Sequence, residues 1–370
     1  MKIAIVINTS WNIYNFRMGF IRALQAEGHE IHTIAPPDEF TPLLTQAGCL
    51  HHALAMDSRG ANPHRDAGLI AELFSIYRRV RPDVILHYTI KPNVYGSIAA
   101  ALLGIPSINN VCGLGTVFLK RNLVSVVALL LYKISFLFPK KVFFQNQEDL
   151  NLFLKNRLVN PKRADLLPGS GIDLTRFHPK AFRRNTRFTF LMISRLIIDK
   201  GVMEYVQAVK ILKSKGIAAR FQILGNRDPE HKRGIQNAVI DEWVQSGLIE
   251  YLGTAHDVRP VIAAADCVVL PSYREGTPRA LLEAASSGKP MIATDVPGCH
   301  QVVRPDYNGF LCNLKDAEDL ADKMEKMLTL NDAQLRTFGQ NARRLVEQEY
   351  DENIVIHKYI HALREVRQAS

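Results

Sequence analysis

Residues 272–290, SYREGTPRALLEAASSGKP, have the pattern of a loop that leads into a helix. Thr277 is a suitable N-cap residue, Pro278 suits the first helical position, and the alanines and leucines that follow favour helix. Glu275 is then expected in the loop, beside exposed backbone N–H groups, and Glu283 about one and a half turns inside the helix. Helix stability alone does not require two carboxylates in this arrangement, so the stretch indicates a site.

Short apolar segments alternate with helical stretches on both sides of this loop, which is typical of βαβ units and a parallel sheet. The pattern runs once through the first part of the chain and then restarts. The predicted fold class is therefore α/β, with two doubly wound, Rossmann-like domains that face a cleft. The predicted strands are 2–7, 30–35, 83–88, 106–111 and 141–146, then 187–194, 219–225, 249–253, 267–272 and 290–294.

The domain boundary is expected in residues 166–185, which are rich in glycine, proline and charge. We assign residues 1–170 to an N-terminal domain, 171–186 to a linker and 187–349 to a C-terminal domain. The last helix, about 350–370, is expected to return to the first domain. Ligands of such sheets bind beyond the carboxyl ends of the strands, at the switch point of the strand order.

The charge of the chain is basic and unevenly distributed. The formal net charge is +10 over 370 residues, and residues 1–170 hold 18 Lys and Arg against 11 Asp and Glu. Such an excess fits nucleic acid, an anionic membrane surface or an anionic substrate. Because the sequence has no nucleic-acid motif and no interleaved aromatic and basic residues, nucleic acid ranks last.

The cysteines and the N-terminus indicate a protein of the reducing cytosol. The first ten residues hold one lysine and a short apolar run, which predicts a buried strand rather than a signal peptide. The sequence has no C-x-x-C pattern, so the cysteines are expected as buried small side chains rather than metal ligands or disulfides. They occupy positions 49, 112, 267, 299 and 312.

Two cations follow the first strand of the second domain, in SRLIIDKG (194–201). Arg195 as a planar fork and Lys200 as a point charge suit a diphosphate. The alternative is an ordinary solvated loop end. Gly225, at the end of the next strand, is a further candidate for donor binding.

The loop and helix of residues 272–290 supply the second half of the predicted site. The backbone N–H groups of Gly276, Thr277 and Arg279 can face an anion, with the helix dipole in support. Glu283 can accept hydrogen bonds from a ribose diol, as acidic residues do in dinucleotide-binding folds. Glu275 is then expected near the group attached to the diphosphate.

Over essentially its whole length the chain resembles family 4 glycosyltransferases, which have the GT-B fold. The family's E-x7-E motif corresponds to Glu275 and Glu283, and its Arg and Lys correspond to Arg195 and Lys200. Two further segments match, GSGIDLTRFHP at 169–179 and NGFLC at 308–312.

The resemblance implies transfer of a sugar from a nucleotide sugar with retention at the anomeric carbon. Arg195 and Lys200 would neutralise the leaving diphosphate, and Glu283 would hold the ribose. Glu275 and the backbone of Gly276–Pro278 would contact the donor sugar. The sequence has no D-x-D motif, which agrees with a site without metal. It also shows no evident nucleophile for double displacement, so the front-face mechanism usual for the family is expected, with catalysis by positioning and electrostatics.

The first domain is expected to hold the acceptor. Many family members carry a histidine in the loop after the fourth strand, whereas this chain has VCGLG at 111–115, so the resemblance supplies no catalytic histidine. The G-L-G-x-x-F pattern is similar to bacterial transferases that act on polyprenyl-diphosphate-linked sugars. For His87 a packed or solvent-facing structural histidine is the favoured alternative. The acceptor candidates are Asn15, Arg17, His87, Lys91, Gly113, Gly115, Lys120 and Arg121, the last two with Arg17 and Lys91 as candidates for the acceptor's diphosphate.

A membrane contact is suggested by NLVSVVALLLYKISFLFPKK, residues 122–141. Its apolar part, 123–138, is short for a membrane span, which needs about 20 residues. With its lysine and arginine flanks it fits a helix in the membrane interface, and it fits equally a helix buried against the sheet. The basic N-terminal half favours peripheral membrane contact.

These features together predict a retaining, metal-independent hexosyltransferase at the cytoplasmic face of a bacterial inner membrane. We expect a UDP-sugar donor, best an N-acetylhexosamine such as GalNAc or GlcNAc, and a polyprenyl-diphosphate-linked saccharide as acceptor. One alternative is a nucleotide-sugar 2-epimerase on the same fold, which the apolar segment does not support. Another is a non-catalytic scaffold that binds a nucleotide sugar, against which the intact set of charged motif residues argues.

Overall fold

The computed structural model describes residues 1–56, 63–114, 123–181 and 184–368. It divides the chain into two compact units, one of Met1–Ser170 with Glu352–Ser370, and one of Gly171–Asp351. The first unit therefore takes in the last helix of the chain. The segment expected as a linker, 171–186, is counted with the second unit.

Each unit is built on one parallel sheet. The first sheet has the strand order β3-β2-β1-β4-β5-β6-β7 and the second has β10-β9-β8-β11-β12-β13. The strands are β1 Lys2–Val6, β2 Glu30–Ala35, β3 Leu50–Ala53, β4 Val84–Tyr88, β5 Ser107–Val111, β6 Lys141–Phe144, β7 Ala164–Leu166, β8 Thr189–Ile193, β9 Arg220–Leu224, β10 Glu250–Tyr251, β11 Cys267–Leu270, β12 Met291–Thr294 and β13 Gly309–Cys312.

Helices connect the strands. They are α1 Ser10–Ala26, α2 Thr41–Gln46, α3 Pro63–Val80, α4 Ser97–Leu102, α5 Leu123–Ser135, α6 Gln147–Lys155, α7 Val202–Ser214, α8 Asn237–Gln245, α9 Arg259–Ala264, α10 Arg279–Ser286, α11 Ala317–Thr329, α12 Asp332–Glu349 and α13 Glu352–Gln368. No helix in the described part of the chain has both the length and the apolar character needed to span a membrane.

All ten predicted strands are present, and β3, β7 and β13 are additional. In the first sheet β3 and β7 are edge strands of four and three residues. β3 leaves its side chains half-buried or exposed, so it lacks the apolar run by which buried strands are recognised. The second sheet ends at β13, which pairs with β12.

The strand order reverses once in each sheet, between β1 and β4 in the first and between β8 and β11 in the second. All strand pairs are parallel, so the carboxyl ends of the strands in one sheet lie at one edge. Loops that follow β1 and β4, or β8 and β11, are therefore neighbours. This places the segments 194–200 and 271–278 side by side.

The last helix, α13, packs on the first unit through one apolar face. Val355, Tyr359 and Leu363 are all buried, and their spacing of four residues places them on that face. The Tyr359 ring lies 4.8 Å from the Phe20 ring on α1, and its hydroxyl accepts a hydrogen bond of 2.7 Å from Asn110 Nδ2 on β5.

All five cysteines are free, as expected from their spacing, and all but Cys112 are buried. Burial raises the pKa of the Cys49 thiol to about 11. These side chains act as small apolar groups of the two cores.

Candidate active site

The loop before α10 has a fixed shape. The Glu275 N–H donates to the Pro297 carbonyl at 3.1 Å, and a Cβ on Gly298 would lie 2.6 Å from the Gly276 carbonyl oxygen. Gly298 also has φ +86, so a side chain is excluded there on both grounds. The loop that carries the first carboxylate is thereby held against residues 297–298.

The helix itself starts one residue later than predicted. α10 begins at Arg279, and its N-cap is Pro278, which makes no side-chain capping bond. Thr277 is therefore not the N-cap, and Pro278 is not the first helical residue. The reason is the extended conformation of Pro278, with φ −73 and ψ 115, which ends the loop instead of opening the helix.

Lys200 and Glu275 form an ion pair. Lys200 closes a 3-10 turn, Ile198–Lys200, that follows β8, and its side chain is 23% exposed against 13% for Glu275. The turn packs closely because a Cβ on Gly201, at φ +73, would lie 1.9 Å from the Pro271 carbonyl oxygen. The structure thus brings together two charged groups that are 75 residues apart in the sequence.

Arg195 is exposed immediately after β8, on the same loop as Lys200. Gly225 supports this loop, because a Cβ there would lie 1.7 Å from the Ser194 carbonyl oxygen. The close approach of β8 and β9 at their carboxyl ends therefore requires glycine at position 225. In this structure Gly225 acts through packing, because its lack of a side chain lets the loop of Arg195 lie against it.

Glu283 is buried inside α10 and is paired with Arg279. Arg279 Nε lies 3.0 Å from Glu283 Oε1, and another guanidinium nitrogen donates to the Gly171 carbonyl. Burial raises the pKa of the Glu283 carboxyl, and the neighbouring Arg279 opposes that shift. A carboxylate accepts about four hydrogen bonds, so the pair with Arg279 leaves capacity for a diol.

Sequence reasoning missed the contacts that hold this arrangement. Asp199 forms an ion pair of 2.7 Å with Arg233 Nε, and its carbonyl accepts the Tyr273 N–H at 2.9 Å. The Tyr273 hydroxyl lies 2.7 Å from Glu204 on α7. Together these contacts tie the turn of Lys200 to the loop of Glu275. Asp199 adjoins Lys200 in the sequence, but no local pattern identifies its distant partners.

His87 lies in the core of the first unit and not at an accessible edge. It has no exposed surface, its Nε2 lies 3.0 Å from the Tyr77 hydroxyl, and its Nδ1 lies 3.0 Å from Asn109 Oδ1. Burial lowers the pKa of His87 to about 4. The structure therefore favours the structural histidine over an acceptor contact.

Lys91 is an internal ion-pair partner. Its Nζ lies 2.8 Å from Asp66 Oδ1, and the Tyr95 hydroxyl donates to Asp66 Oδ2 at 2.9 Å. Asp66 is 6% exposed, so the charge of Lys91 is neutralised within the unit. Lys91 is therefore not the unpaired, accessible cation that was expected from the sequence.

The other acceptor candidates differ in exposure. Asn15 is half-buried on α1 and donates to the Trp11 carbonyl of its own helix at 3.0 Å. Arg17 is only 7% exposed, with its guanidinium carbon 4.1 Å from the centre of the Tyr88 ring. Gly113 follows β5 with φ 124. The remaining candidates, Gly115, Lys120 and Arg121, lie outside the described residues.

α5 presents two different apolar faces. One face, with Leu129, Tyr132 and Phe136, packs into a cluster with Phe153 of α6. The opposite face and the turn that follows leave six large apolar side chains exposed, Val126, Val127, Leu130, Ile134, Leu137 and Phe138. The interpretation as a buried helix therefore fits the face that packs on α6, and the interpretation as an interface helix fits the exposed face.

Comparison with known proteins identifies the family. The model described as Glycosyl transferases group 1 matches residues 174–345, and the model Glycosyl transferase 4-like matches residues 2–146. A Campylobacter jejuni protein is 31% identical over 97% of both chains. The chain belongs to the group 1 glycosyltransferases. This family membership confirms the predicted resemblance, and the two parallel-sheet units are the domains of the GT-B fold.

The printed names of relatives describe lipid-linked substrates. The Campylobacter glycosyltransferase is an N,N'-diacetylbacillosaminyl-diphospho-undecaprenol alpha-1,3-N-acetylgalactosaminyltransferase. An Escherichia coli relative, 26% identical over 76% of this chain and 75% of its own, is a UDP-Gal:alpha-D-GlcNAc-diphosphoundecaprenol alpha-1,3-galactosyltransferase. A solved glycosyltransferase from Rickettsia africae shares the fold, with a TM-score of 0.80, 19% identity, and coverage of 100% of this chain and 99% of its own.

Proposed function

We propose that this glycosyltransferase moves an N-acetylhexosamine, GalNAc or GlcNAc, from a UDP-sugar to a polyprenyl-diphosphate-linked saccharide, with retention of configuration and without metal. The observation that carries the proposal is the charged group of the second unit. The turn after β8 places Lys200 against Glu275, and Glu283 lies about one turn inside α10, the helix that follows the loop of Glu275. This arrangement supplies cations for a diphosphate and a carboxylate for a ribose.

The proposed reaction gives a role to each charged group, Arg195, Lys200 and Glu275. Arg195 and Lys200 would donate to diphosphate oxygens as the bond from the anomeric carbon to the leaving phosphate breaks. Charge-assisted hydrogen bonds of this kind strengthen as negative charge develops on the leaving group. The acceptor hydroxyl attacks from the same face, and its proton passes to the leaving phosphate oxygen. Glu275, paired with Lys200, would orient the donor sugar.

The proposal of a reaction without metal rests on the two basic side chains of the site, Arg195 and Lys200. These two cations would perform the charge neutralisation for which other transferases use a divalent ion. We therefore expect transfer to continue in the presence of a chelator.

The donor and acceptor classes rest on the relatives. Both named relatives act on undecaprenyl-diphosphate-linked saccharides, one transferring N-acetylgalactosamine and the other using UDP-Gal. The similarity to the Campylobacter enzyme extends over 97% of the chain, so it includes both units. This supports a lipid-linked acceptor and favours GalNAc over galactose.

A lipid-linked acceptor lies in the membrane, so the proposal includes peripheral contact of the enzyme with the membrane surface. The exposed apolar face of α5 is accompanied by exposed Lys133 and Lys140, which complement an anionic lipid surface. We place the enzyme at the cytoplasmic face of the inner membrane, where a nucleotide sugar and a lipid-linked acceptor meet. No role for nucleic acid is proposed.

UDP release from a panel of UDP-sugars, with and without short-chain polyprenyl-diphosphate saccharides, tests this function. We expect release that depends on the acceptor, from UDP-GalNAc or UDP-GlcNAc, and at the same rate with EDTA. Release without acceptor and with formation of a 2-epimer would instead indicate an epimerase. Loss of activity in EDTA that Mg²⁺ or Mn²⁺ restores would overturn metal independence.

A further inference from the structure

Arg17 is a buried cation of the first unit whose contacts are all neutral. Its Nη1 donates to the Asn12 carbonyl at 3.3 Å and to Asn12 Oδ1, and its Nη2 lies 4.0 Å from Cys112 Sγ. The guanidinium also stacks on Tyr88. Among the described residues no carboxylate pairs with it. Burial of a charge is costly unless an opposite charge compensates it.

Lys91, which follows the neighbouring strand β4, shows how a buried cation is usually neutralised within a chain. It is also largely buried, at 16% side-chain exposure, and Asp66 neutralises it at 2.8 Å. The two cations thus differ in one respect, since Lys91 has a counter-ion within the chain and Arg17 has none. This difference indicates that the counter-ion of Arg17 comes from a ligand.

Unsatisfied buried polar atoms occur in Arg17 itself and in the segments that follow β1 and β4. Asn8 Oδ1, Arg17 Nε and Thr89 Oγ1 are buried without a hydrogen-bond partner. The register pairs Val6 with His87, so Asn8 and Thr89 follow adjacent strand ends. Thr89 adjoins Tyr88, on whose ring the Arg17 guanidinium stacks. Native proteins leave few buried polar atoms unpaired.

The backbone adds a second sign of a site. Thr89 has φ 65, a left-handed conformation that is uncommon for a β-branched residue and is found where function requires it. A π-helical turn, Pro92–Gly96, follows three residues later. Such turns are frequent at functional sites. Ordered water can satisfy the oxygens of Asn8 and Thr89, but only an anion neutralises Arg17.

We propose that Arg17, with the hydroxyl of Thr89, binds a phosphate of the acceptor's diphosphate. The inference rests on the proposed function for the identity of the ligand, while the anion site itself does not. The donor's diphosphate already has Arg195 and Lys200 in the second unit. Because the contacts of Arg17 with Asn12 and Cys112 are neutral, a phosphate can replace them with a charge-assisted bond.

The test compares ligands that differ only in charge. Binding of a short-chain prenyl diphosphate and of the matching prenyl alcohol is measured by calorimetry on the full-length enzyme. We expect a preference for the diphosphate of about 10- to 100-fold, the value of a charge-assisted contact. Arg17→Gln should reduce this preference to near unity and leave UDP affinity unchanged. Arg22→Gln, which removes an exposed cation from the same helix, should change neither.

Three outcomes overturn the proposal. One is a wild-type enzyme that binds alcohol and diphosphate equally, and another is a full preference retained in Arg17→Gln. The third is a loss of UDP affinity in that variant, which would assign the anion to the donor. If Arg17→Gln fails to fold, Thr89→Val removes the proposed hydroxyl contact while Arg17 stays in place, and an unchanged preference there contradicts the proposal. Diphosphate preference without any sugar transfer would uphold this site and refute the proposed function.

Discussion

At the scale of single residues, the charged candidates differ in what neutralises them and in how far they are exposed. Lys91 is neutralised by buried Asp66 and makes no use of a ligand, whereas Arg17 has only neutral contacts. Lys200 and Glu275 are paired but remain partly exposed, so a ligand can reach them. The sequence alone could not distinguish Lys91 from Arg17, because the carboxylate that pairs with Lys91 lies 25 residues away from it.

Removal of either member of the Lys200–Glu275 pair is expected to abolish transfer. Lys200→Ala and Glu275→Ala each remove a contact that acts on the transition state, and such losses lower kcat by roughly 100- to 1,000-fold. Both side chains are partly exposed, so the fold should survive. Acceptor-dependent UDP release and circular dichroism check the prediction. Lys215→Ala, which breaks an exposed ion pair with Glu325 in the same unit, serves as the control. A folded and fully active Glu275→Ala enzyme would refute the assignment.

Arg279 is expected to act by positioning Glu283. Arg279→Ala leaves Glu283 buried without its partner, which raises its pKa further and weakens a bond to the ribose. We predict a KM for the UDP-sugar about tenfold higher, from loss of a charged hydrogen bond, with a smaller change in the acceptor KM. Lys323→Ala breaks an i,i+4 pair of the same length on α11 and should leave both values unchanged. Equal effects of the two variants on donor KM would argue against this role.

The buried His87 predicts a specific dependence of stability on pH. Burial lowers its pKa from an ordinary value of 6.5 to about 4, so the unfolded chain takes up a proton that the folded chain does not. The free energy of unfolding therefore decreases as pH falls from 6.5 towards 4, by at most about 3 kcal/mol at 1.4 kcal/mol per unit. Denaturant unfolding at each pH measures it. His87→Gln should flatten this decrease, whereas exposed His361→Gln should not. Parallel pH curves for wild type and His87→Gln would contradict the prediction.

At the scale of elements, sequence patterns predicted buried strands well and short edge strands poorly. β1, β4 and β6 carry the apolar runs that identify them, because their side chains are largely buried. β5 is equally buried, although three of its five residues are polar. β3 and β7 lie at the edges of the sheet, where half-exposed side chains give no such run. For α5 the composition could not say which face is covered, since both faces are apolar.

The exposed face of α5 is expected to bind an anionic bilayer. The double variant Leu130→Ser with Ile134→Ser removes two apolar side chains that are 57% and 45% exposed. Loss of each should weaken vesicle binding by about fivefold or more, from the transfer free energy of a large aliphatic side chain. Sedimentation with phosphatidylglycerol-containing vesicles measures this. Leu102→Ser, 67% exposed on α4, is the control. Equal vesicle binding by the double variant and wild type would exclude α5 as the contact.

At the scale of the whole molecule, the residues proposed for the donor and those proposed for the acceptor belong to different units. The charged motif residues all lie in Gly171–Asp351, while Arg17 and α5 lie in the unit formed by Met1–Ser170 and Glu352–Ser370. Each unit has its own sheet and its own switch point. The alternation of strands and helices, which restarts after residue 185, predicted two domains. The side-chain contacts within each unit could not be predicted, because they join segments far apart in sequence.

The most direct test of the account is the structure of the product formed from UDP-GalNAc or UDP-GlcNAc and a short-chain polyprenyl-diphosphate saccharide. Mass spectrometry identifies the added sugar, and the one-bond coupling at its anomeric carbon gives the configuration by NMR. We predict one added N-acetylhexosamine in the same α configuration as in the donor. A β-linked product would contradict retention, and an unmodified acceptor with every UDP-sugar would contradict the proposed function.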